Sequence, residues 1–279
     1  IVAGLLLGSR DIYGGMTYVQ ELGHMDNASE MGKLLEKEKK RFAGTELVGR
    51  TLGVVGLGAI GSIIANLALD LGMDVIGYDP AISIEAAWQL SSRVERMDSL
   101  EQLLERADYV TLHVPAIPET KHLINSKSLG SMKKTAKVLN FAREEIVNAD
   151  DMLTALNAGL LAGYITDFPV PKLLGRSDVL LMPHIGASTE EAEENCAVMA
   201  VDQLKDFLEN GNIHNSVNYP RTRMSRNGGS RITFSNDNVP KVLGSVLSVL
   251  ADSNLNIIDM VNKSRGEVAY NIIDIEIKV

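Results

Sequence analysis

Cysteine is nearly absent from the 279-residue chain. Cys196 stands alone, so no intrachain disulfide can form, and the chain fits a reducing compartment, with the cytoplasm as the expected location. Positive charge is also in deficit. Lys and Arg number 27 against 36 Asp and Glu, a net charge of -9, which excludes nucleic acid as the main partner because a phosphate backbone demands a basic face. Small anionic ligands stay possible, since local arrangements bind them. Long hydrophobic runs are lacking. The apolar opening, residues 1–7, is too short to span a bilayer, and without a basic flank it is no signal peptide, so no membrane role is expected. No solenoid repeat is visible, and no metal site is expected. What remains, 45% hydrophobic and 23% charged residues, suits a soluble chain with one large domain and a small one. The chain opens on Ile1 within an apolar helical run and closes on Val279 within a strand pattern, so it is expected to be a fragment, cut at both ends.

Residues 1–22 read as a helix broken near Gly14 and Gly15. Residues 23–42 are polar, and Lys37, Lys39, Lys40 and Arg41 are better explained as a solvated helix face than as a phosphate-binding patch. From Arg50 onward short β-branched runs alternate with helical stretches. Strands are expected at 51–55, 75–78, 109–114, 137–140, 164–167 and 179–182, with helices at 60–71, 100–106 and 150–158. Strict alternation implies a parallel, doubly wound α/β sheet, which binds ligands at the carboxyl ends of its strands. A long helix follows at 190–210, stopped by Gly211. The segment 219–230, with Pro220, Gly228 and Gly229, reads as a linker. A second, smaller α+β unit then shows a strand at 231–234, a helix at 240–251, and strands at 256–262 and 268–277. The expected domains are 1–219, a 220–230 linker, and 231–279.

Gly56-Leu57-Gly58-Ala59-Ile60-Gly61 follows a strand and opens a helix, the context in which a Gly-x-Gly-x-x-Gly run binds a dinucleotide. Gly56 permits the tight turn, Gly58 lets a pyrophosphate approach the backbone, and Gly61 lets helix and strand lie close. The free amides at Ala59 and Ile60, at the positive end of the helix, would hold the phosphates. Asp79 ends the next strand and can accept from both adenosine ribose hydroxyls. It would repel a 2'-phosphate, and no arginine follows directly, so NAD is favoured over NADP.

Four further stretches carry a resemblance. Residues 42–56 read FAGTELVGRTLGVVG, 113–115 read His-Val-Pro with Thr120 shortly after, 140–143 read Asn-Phe-Ala-Arg, and 183–189 read PHIGAST. Together and in this order they resemble the D-2-hydroxy-acid dehydrogenase family over about residues 1–219. The resemblance implies a Rossmann nucleotide domain with NAD. It places His113, Val114, Pro115, Phe141, Ala142, Asp167, Gly186 and Ala187 at the cofactor, and Arg143 and His184 at both cofactor and reaction. Arginine offers a fork that can hold a substrate carboxylate and polarise its carbonyl. Histidine has the intrinsic pKa to take a hydroxyl proton as hydride leaves. His24, His113, His122 and His214 are left without a catalytic role.

The chain departs from the family at named positions. A glutamate usually stands five residues after the counterpart of Asp167, to pair with the histidine, and here Lys172 stands there. Asp167, Glu190 and Glu191 are the possible stand-ins. Glu144 and Glu145 replace glycines common after the arginine. The substrate domain of such proteins is built mostly from residues preceding those seen here, so the groups that hold a substrate phosphate cannot be named, and this chain alone is expected to bind NAD weakly and turn over poorly.

Residues 231–279 resemble the ACT (ferredoxin-like) amino-acid-binding module, with Asn236, Asn238 and Asn256 at positions that bind L-serine in such modules. Amide side chains both donate and accept, as an amino acid requires, although asparagine also serves simply in turns. Lys241 replaces a glycine common there. An ACT module on this dehydrogenase frame implies 3-phospho-D-glycerate as substrate, serine biosynthesis as the setting, and a homodimer or homotetramer. Two alternatives stay open: another 2-hydroxy acid, or an NAD-binding sensor with little catalysis.

Overall fold

A computed structural model describes residues 1–276. The chain divides into two compact units, Ile1–Ile185 and a second that begins at Gly186. The division falls earlier than the domain boundary expected at residue 219, so the long helix belongs to the second unit.

The first unit opens with helices α1 (Val2–Ser9), α2 (Ile12–Glu21) and α3 (Ala28–Glu38). The break between α1 and α2 lies at Arg10 and Asp11, not at Gly14 and Gly15 as the sequence suggested. Arg10 is extended, and the Asp11 side chain accepts from the Gly14 amide at 2.9 Å. An N-cap thus restarts the helix, and the glycines continue it at modest cost. Lys39 and Arg41 pair with Glu36 and Glu38 on an exposed face, the solvated arrangement expected of this stretch.

The remaining elements alternate: β1 (Thr51–Val55), α4 (Ala59–Asp70), β2 (Asp74–Tyr78), α5 (Ile84–Gln89), β3 (Glu95–Arg96), α6 (Leu100–Arg106), β4 (Tyr109–Leu112), α7 (Ser126–Gly130), β5 (Lys137–Asn140), α8 (Ala149–Asn157), β6 (Gly163–Thr166) and β7 (Val179–Leu181). The strands form one parallel sheet in the order β3-β2-β1-β4-β5-β6-β7. Successive side chains of a strand point to opposite faces, and the core obeys this. Val55, Val110, Leu112, Val138 and Tyr164 join one buried cluster, while Val54, Tyr109, Leu139 and Ile165 join another. Both faces are therefore apolar and both are covered by helices, as a parallel sheet requires. Helix α1 lies on β5 and β6. A Cβ at Gly4 would meet the Phe141 ring at 2.8 Å, and the Lys137 ammonium reaches the Gly8 carbonyl. Burial holds that ammonium's pKa below its usual value. The chain order reverses between β1 and β4, and the carboxyl ends of those strands open the crevice where doubly wound sheets bind ligands.

In the second unit α9 (Glu190–Asn210) is capped by Thr189, which accepts from the Ala192 amide, and ends at Gly211 in the left-handed conformation, φ 69°. Strands β8 (Ser230–Asp237), β9 (Ile257–Arg265) and β10 (Val268–Ile275) form an antiparallel sheet ordered β8-β10-β9, with α10 (Val242–Asp252) between β8 and β9. Residue 277, the last of the strand expected at 268–277, lies outside the described residues. The segment expected to be a linker is packed. Thr222 bridges to Ile213, Thr222 and Met224 are buried, and Met224 N donates to Asn212 Oδ1 at 3.0 Å. Thr222 and Met224 alternate with the exposed Arg221, Arg223 and Ser225, so the segment turns one side to this unit's interior and the other to solvent. The buried Arg231 binds Asp274 through Nε and Nη2, each at 2.7 Å. It also donates to the carbonyls of Asn210, Met224 and Ser225, tying the end of α9 and the 224–225 segment to the sheet.

Candidate functional site

The glycine turn after β1 takes the form a pyrophosphate needs. Gly56 has φ 90°, and a Cβ there would meet the His113 carbonyl oxygen at 2.6 Å. A Cβ at Gly61 would press into the Gly56 carbonyl oxygen, so both positions demand glycine for close packing. Gly58 differs, because a Cβ there would meet no protein atom within 4 Å. The turn is tight where it faces protein and open where it faces the crevice. Gly58 is the N-cap of α4 and supplies no side-chain cap, so the first amides of the helix, at Ala59 and Ile60, have no side-chain acceptor there. The Asp79 carboxylate accepts from the Leu57 amide at 2.8 Å and from the Ala81 amide at 2.8 Å.

His113 leaves the end of β4 and bonds Thr111 Oγ1 through Nε2 at 3.0 Å. Burial, with a smaller contribution from the Ile1 ammonium, pushes its pKa down to about 4. Val114 is half-buried against the core and Pro115 is exposed. The Thr120 hydroxyl donates to the Pro115 carbonyl and accepts from the Ile117 amide, which fixes this loop.

After β5 the chain turns sharply. The buried Asn140 donates from Nδ2 to the Arg143 carbonyl at 2.8 Å and accepts at Oδ1 from the Ala142 amide at 3.2 Å. Its own carbonyl accepts from Thr166 Oγ1 at 2.8 Å. Arg143 is left exposed, with Nη1 donating only to the Ala142 carbonyl. Phe141, expected at the cofactor, is half-buried, with its ring against Gly4 of α1 and beside the cluster that holds Ile165. Sequence reasoning passed over Asn140. An asparagine closing a strand just before a turn was the available signal.

Asp167 follows β6 and is buried at 8% exposure. Its Oδ1 has no hydrogen-bond partner and is the one such buried side-chain atom among the described residues. Its Oδ2 lies 4.0 Å from Nδ1 of His184. His184 follows β7, has φ 53°, and leaves 61% of its side chain exposed. The edge of Phe168, another residue the sequence reading passed over, meets its ring at a centroid distance of 5.0 Å. Gly186 and Ala187 open the second unit and are exposed. Glu190 and Glu191 lie in the first turn of α9.

Asn236, Asn238 and Asn256 do not converge within one chain. Asn236 pairs in register with Ala269, and Asn238 donates to the Gly266 carbonyl. Asn256 bonds Glu276 at the other end of β10. Seven residues of strand, roughly 24 Å, separate these ends.

A doubly wound parallel sheet with a glycine turn at its switch point and a carboxylate ending the next strand defines a dinucleotide-binding domain. Residues 15–186 match the family model described as D-isomer specific 2-hydroxyacid dehydrogenase, NAD binding domain, and the chain belongs to that family, whose cofactor is NAD. It is 40% identical over 203 residues to a D-3-phosphoglycerate dehydrogenase of Synechocystis, covering 71% of this chain and 36% of that protein. It is 35% identical over 246 residues to the D-3-phosphoglycerate dehydrogenase of Methanocaldococcus jannaschii, covering 86% and 46%. The chain thus spans less than half the length of these two relatives. Among solved structures, D-lactate dehydrogenase from Aquifex aeolicus, complexed with NAD and lactic acid, superposes with a TM-score of 0.60 at 25% identity, covering 75% of this chain and 64% of that one. Among the described residues no helix is long and apolar enough to cross a membrane.

Proposed function

We propose that the chain is the nucleotide-binding part of an NAD-dependent dehydrogenase that oxidises 3-phospho-D-glycerate to 3-phosphooxypyruvate, the first step of L-serine biosynthesis. The observation that carries the reading is the gathering of the open glycine turn, Arg143, Asp167 and His184 after the carboxyl ends of one parallel sheet's strands. The names of the relatives support the substrate.

The residues present fit NAD. The open face at Gly58 accepts a pyrophosphate, the Asp79 carboxylate keeps lone pairs for ribose hydroxyls, and the unpartnered Asp167 Oδ1 is a ready acceptor for a carboxamide N–H. When bound, NAD supplies the acceptor for the hydride leaving C2 of the substrate. The exposed Arg143 guanidinium grips the substrate carboxylate by paired hydrogen bonds and polarises the C2 oxygen. His184 takes the C2 hydroxyl proton as the carbonyl forms.

The second unit we propose to be an ACT-like regulatory module that binds L-serine through Asn236, Asn238 and Asn256. Because those residues lie at opposite ends of β10, the site would be completed between copies in a homodimer or homotetramer.

The test is NADH formation at 340 nm by the complete gene product that carries this chain, with 3-phosphoglycerate, D-glycerate and D-lactate, each with and without L-serine. Turnover is expected with the phosphorylated acid and is expected to be suppressed by serine. Preference for an unphosphorylated acid removes the phosphoglycerate reading. NADH binding with no turnover on any of the three leaves a sensor.

A further inference from the structure

The Lys172 ammonium, five residues beyond Asp167, is committed to Asp150. The loop after β6 therefore offers no partner for His184 at that position. The nearest carboxylate in this unit lies at the end of β6.

We propose that Asp167 is the positioning residue of His184: its Oδ2 accepts the Nδ1 proton, which leaves Nε2 as the free base. This rests on the dehydrogenase reading for what Nε2 does, but the pairing stands on geometry alone. Asp167 is fixed in place. The strand end that carries it is pinned by Thr166 Oγ1, which donates to the Asn140 carbonyl at 2.8 Å and accepts from the Phe168 amide at 3.1 Å. The carboxylate is buried with one oxygen unpartnered, and a desolvated carboxylate in that condition gains strongly from any donor brought to it. His184 is the side chain poised to supply one. Nδ1 stands 4.0 Å from Oδ2, about 1 Å beyond a hydrogen bond, and the Phe168 edge restricts the ring on another side. Such bonds are commonly long before a substrate is bound. The Ile1 amino group and the Tyr164 phenol also feel the charge of Asp167. A carboxylate at Nδ1 selects the tautomer with the proton on Nδ1 and stabilises the imidazolium formed when Nε2 accepts a proton. The two oxygens then divide the work: the unpartnered Oδ1 would be free to accept from a cofactor carboxamide while Oδ2 serves the base, so one side chain would couple cofactor seating to the histidine.

The test is nitrogen-15 NMR of the imidazoles at a pH where His184 is neutral, its signals assigned by their loss in His184→Gln. The wild-type chain is expected to hold His184 as the Nδ1–H tautomer. Asp167→Asn should return it to the Nε2–H form that a free imidazole favours, while Asp167→Glu, which keeps the charge, should retain Nδ1–H. In the complete gene product Asp167→Asn should lower kcat by on the order of a hundredfold or more. A wild-type His184 found as Nε2–H overturns the proposal without need of any variant, and so does an Asp167→Asn chain that folds and keeps Nδ1–H. The tautomer is read with or without turnover, so failure of the dehydrogenase reading and failure of this pairing are separate results.

Discussion

The Asp79 carboxylate, just beyond the end of β2, accepts the amide proton of Leu57 in the glycine turn after β1 across 2.8 Å. The residue expected to hold the adenosine ribose is thus also a brace for the glycine turn, so on the proposed reading both parts of the nucleotide site depend on one side chain. Asp79→Ala removes a charge-assisted bond from the turn and the ribose acceptor together, each contributing about 1.5–3 kcal/mol. NADH affinity, read by fluorescence titration, is expected to fall about ten- to a hundredfold, with a lower Tm in the absence of cofactor. Unchanged affinity would remove Asp79 from the site.

Gly58 and Gly61 separate binding from folding. A methyl at Gly61 presses into the Gly56 carbonyl, and Gly61→Ala should destabilise the first unit by about 1–3 kcal/mol in urea unfolding. At Gly58 the backbone has φ -67° and a Cβ meets nothing within 4 Å, so Gly58→Ala should leave Tm unchanged. Its methyl would occupy the space of the pyrophosphate, weakening NADH binding at least tenfold (about 1.4 kcal/mol). A Gly58→Ala chain that binds NADH normally would place the phosphates elsewhere.

The sheet was legible because parallel strands buried on both faces are short continuous apolar runs, and such runs at 51–55 and 137–140 were located to the residue, as was the helix at 100–106. The glycine turn was legible because φ and close approach restrict the residue type at Gly56 and Gly61. Short elements were not. Helix α5 and strand β3 bury little, so no periodicity announces them. The break before α2 was misplaced because glycine is a weaker helix signal than the Asp11 cap. The packed state of residues 219–229 was hidden because its satisfaction comes from Arg231 and Asn212, partners that composition cannot reveal. The seat of the Phe141 ring was hidden because it depends on the small Gly4 of α1, a residue far away in sequence.

Arg231 and Asp274 form a fully buried pair with side chains 2% and 0% exposed. The guanidinium holds the Asp274 carboxyl well below the usual carboxylate range. Asp274→Ala strands a buried cation and should destabilise the second unit by about 3–5 kcal/mol, while the joint change Arg231→Met with Asp274→Leu should recover much of that loss. Denaturant unfolding followed by tyrosine fluorescence or circular dichroism measures both. A single variant as stable as wild type would mean that the three backbone carbonyls, not Asp274, hold Arg231.

His113 should contribute to the acid sensitivity of the first unit. Its folded pKa is about 4 against a reference of 6.5, burial being the larger cause and the Ile1 ammonium the smaller. A depressed histidine pKa means that the unfolded chain takes up a proton that the folded chain refuses. The folded state therefore keeps its full advantage above about pH 6.5 and loses it as pH falls toward 4, by about 3 kcal/mol over the window and about 2 kcal/mol by pH 5. Carboxylates titrate over part of the same range, so the comparison must be internal: wild type against His113→Gln, which keeps a hydrogen-bonding amide near Thr111 and cannot take the proton. Urea unfolding at pH 7 and pH 5 should show wild type losing about 2 kcal/mol more than the variant between the two. Equal losses in the two chains would mean that His113 is not held neutral by its surroundings, and that the acid sensitivity of this unit lies with its carboxylates.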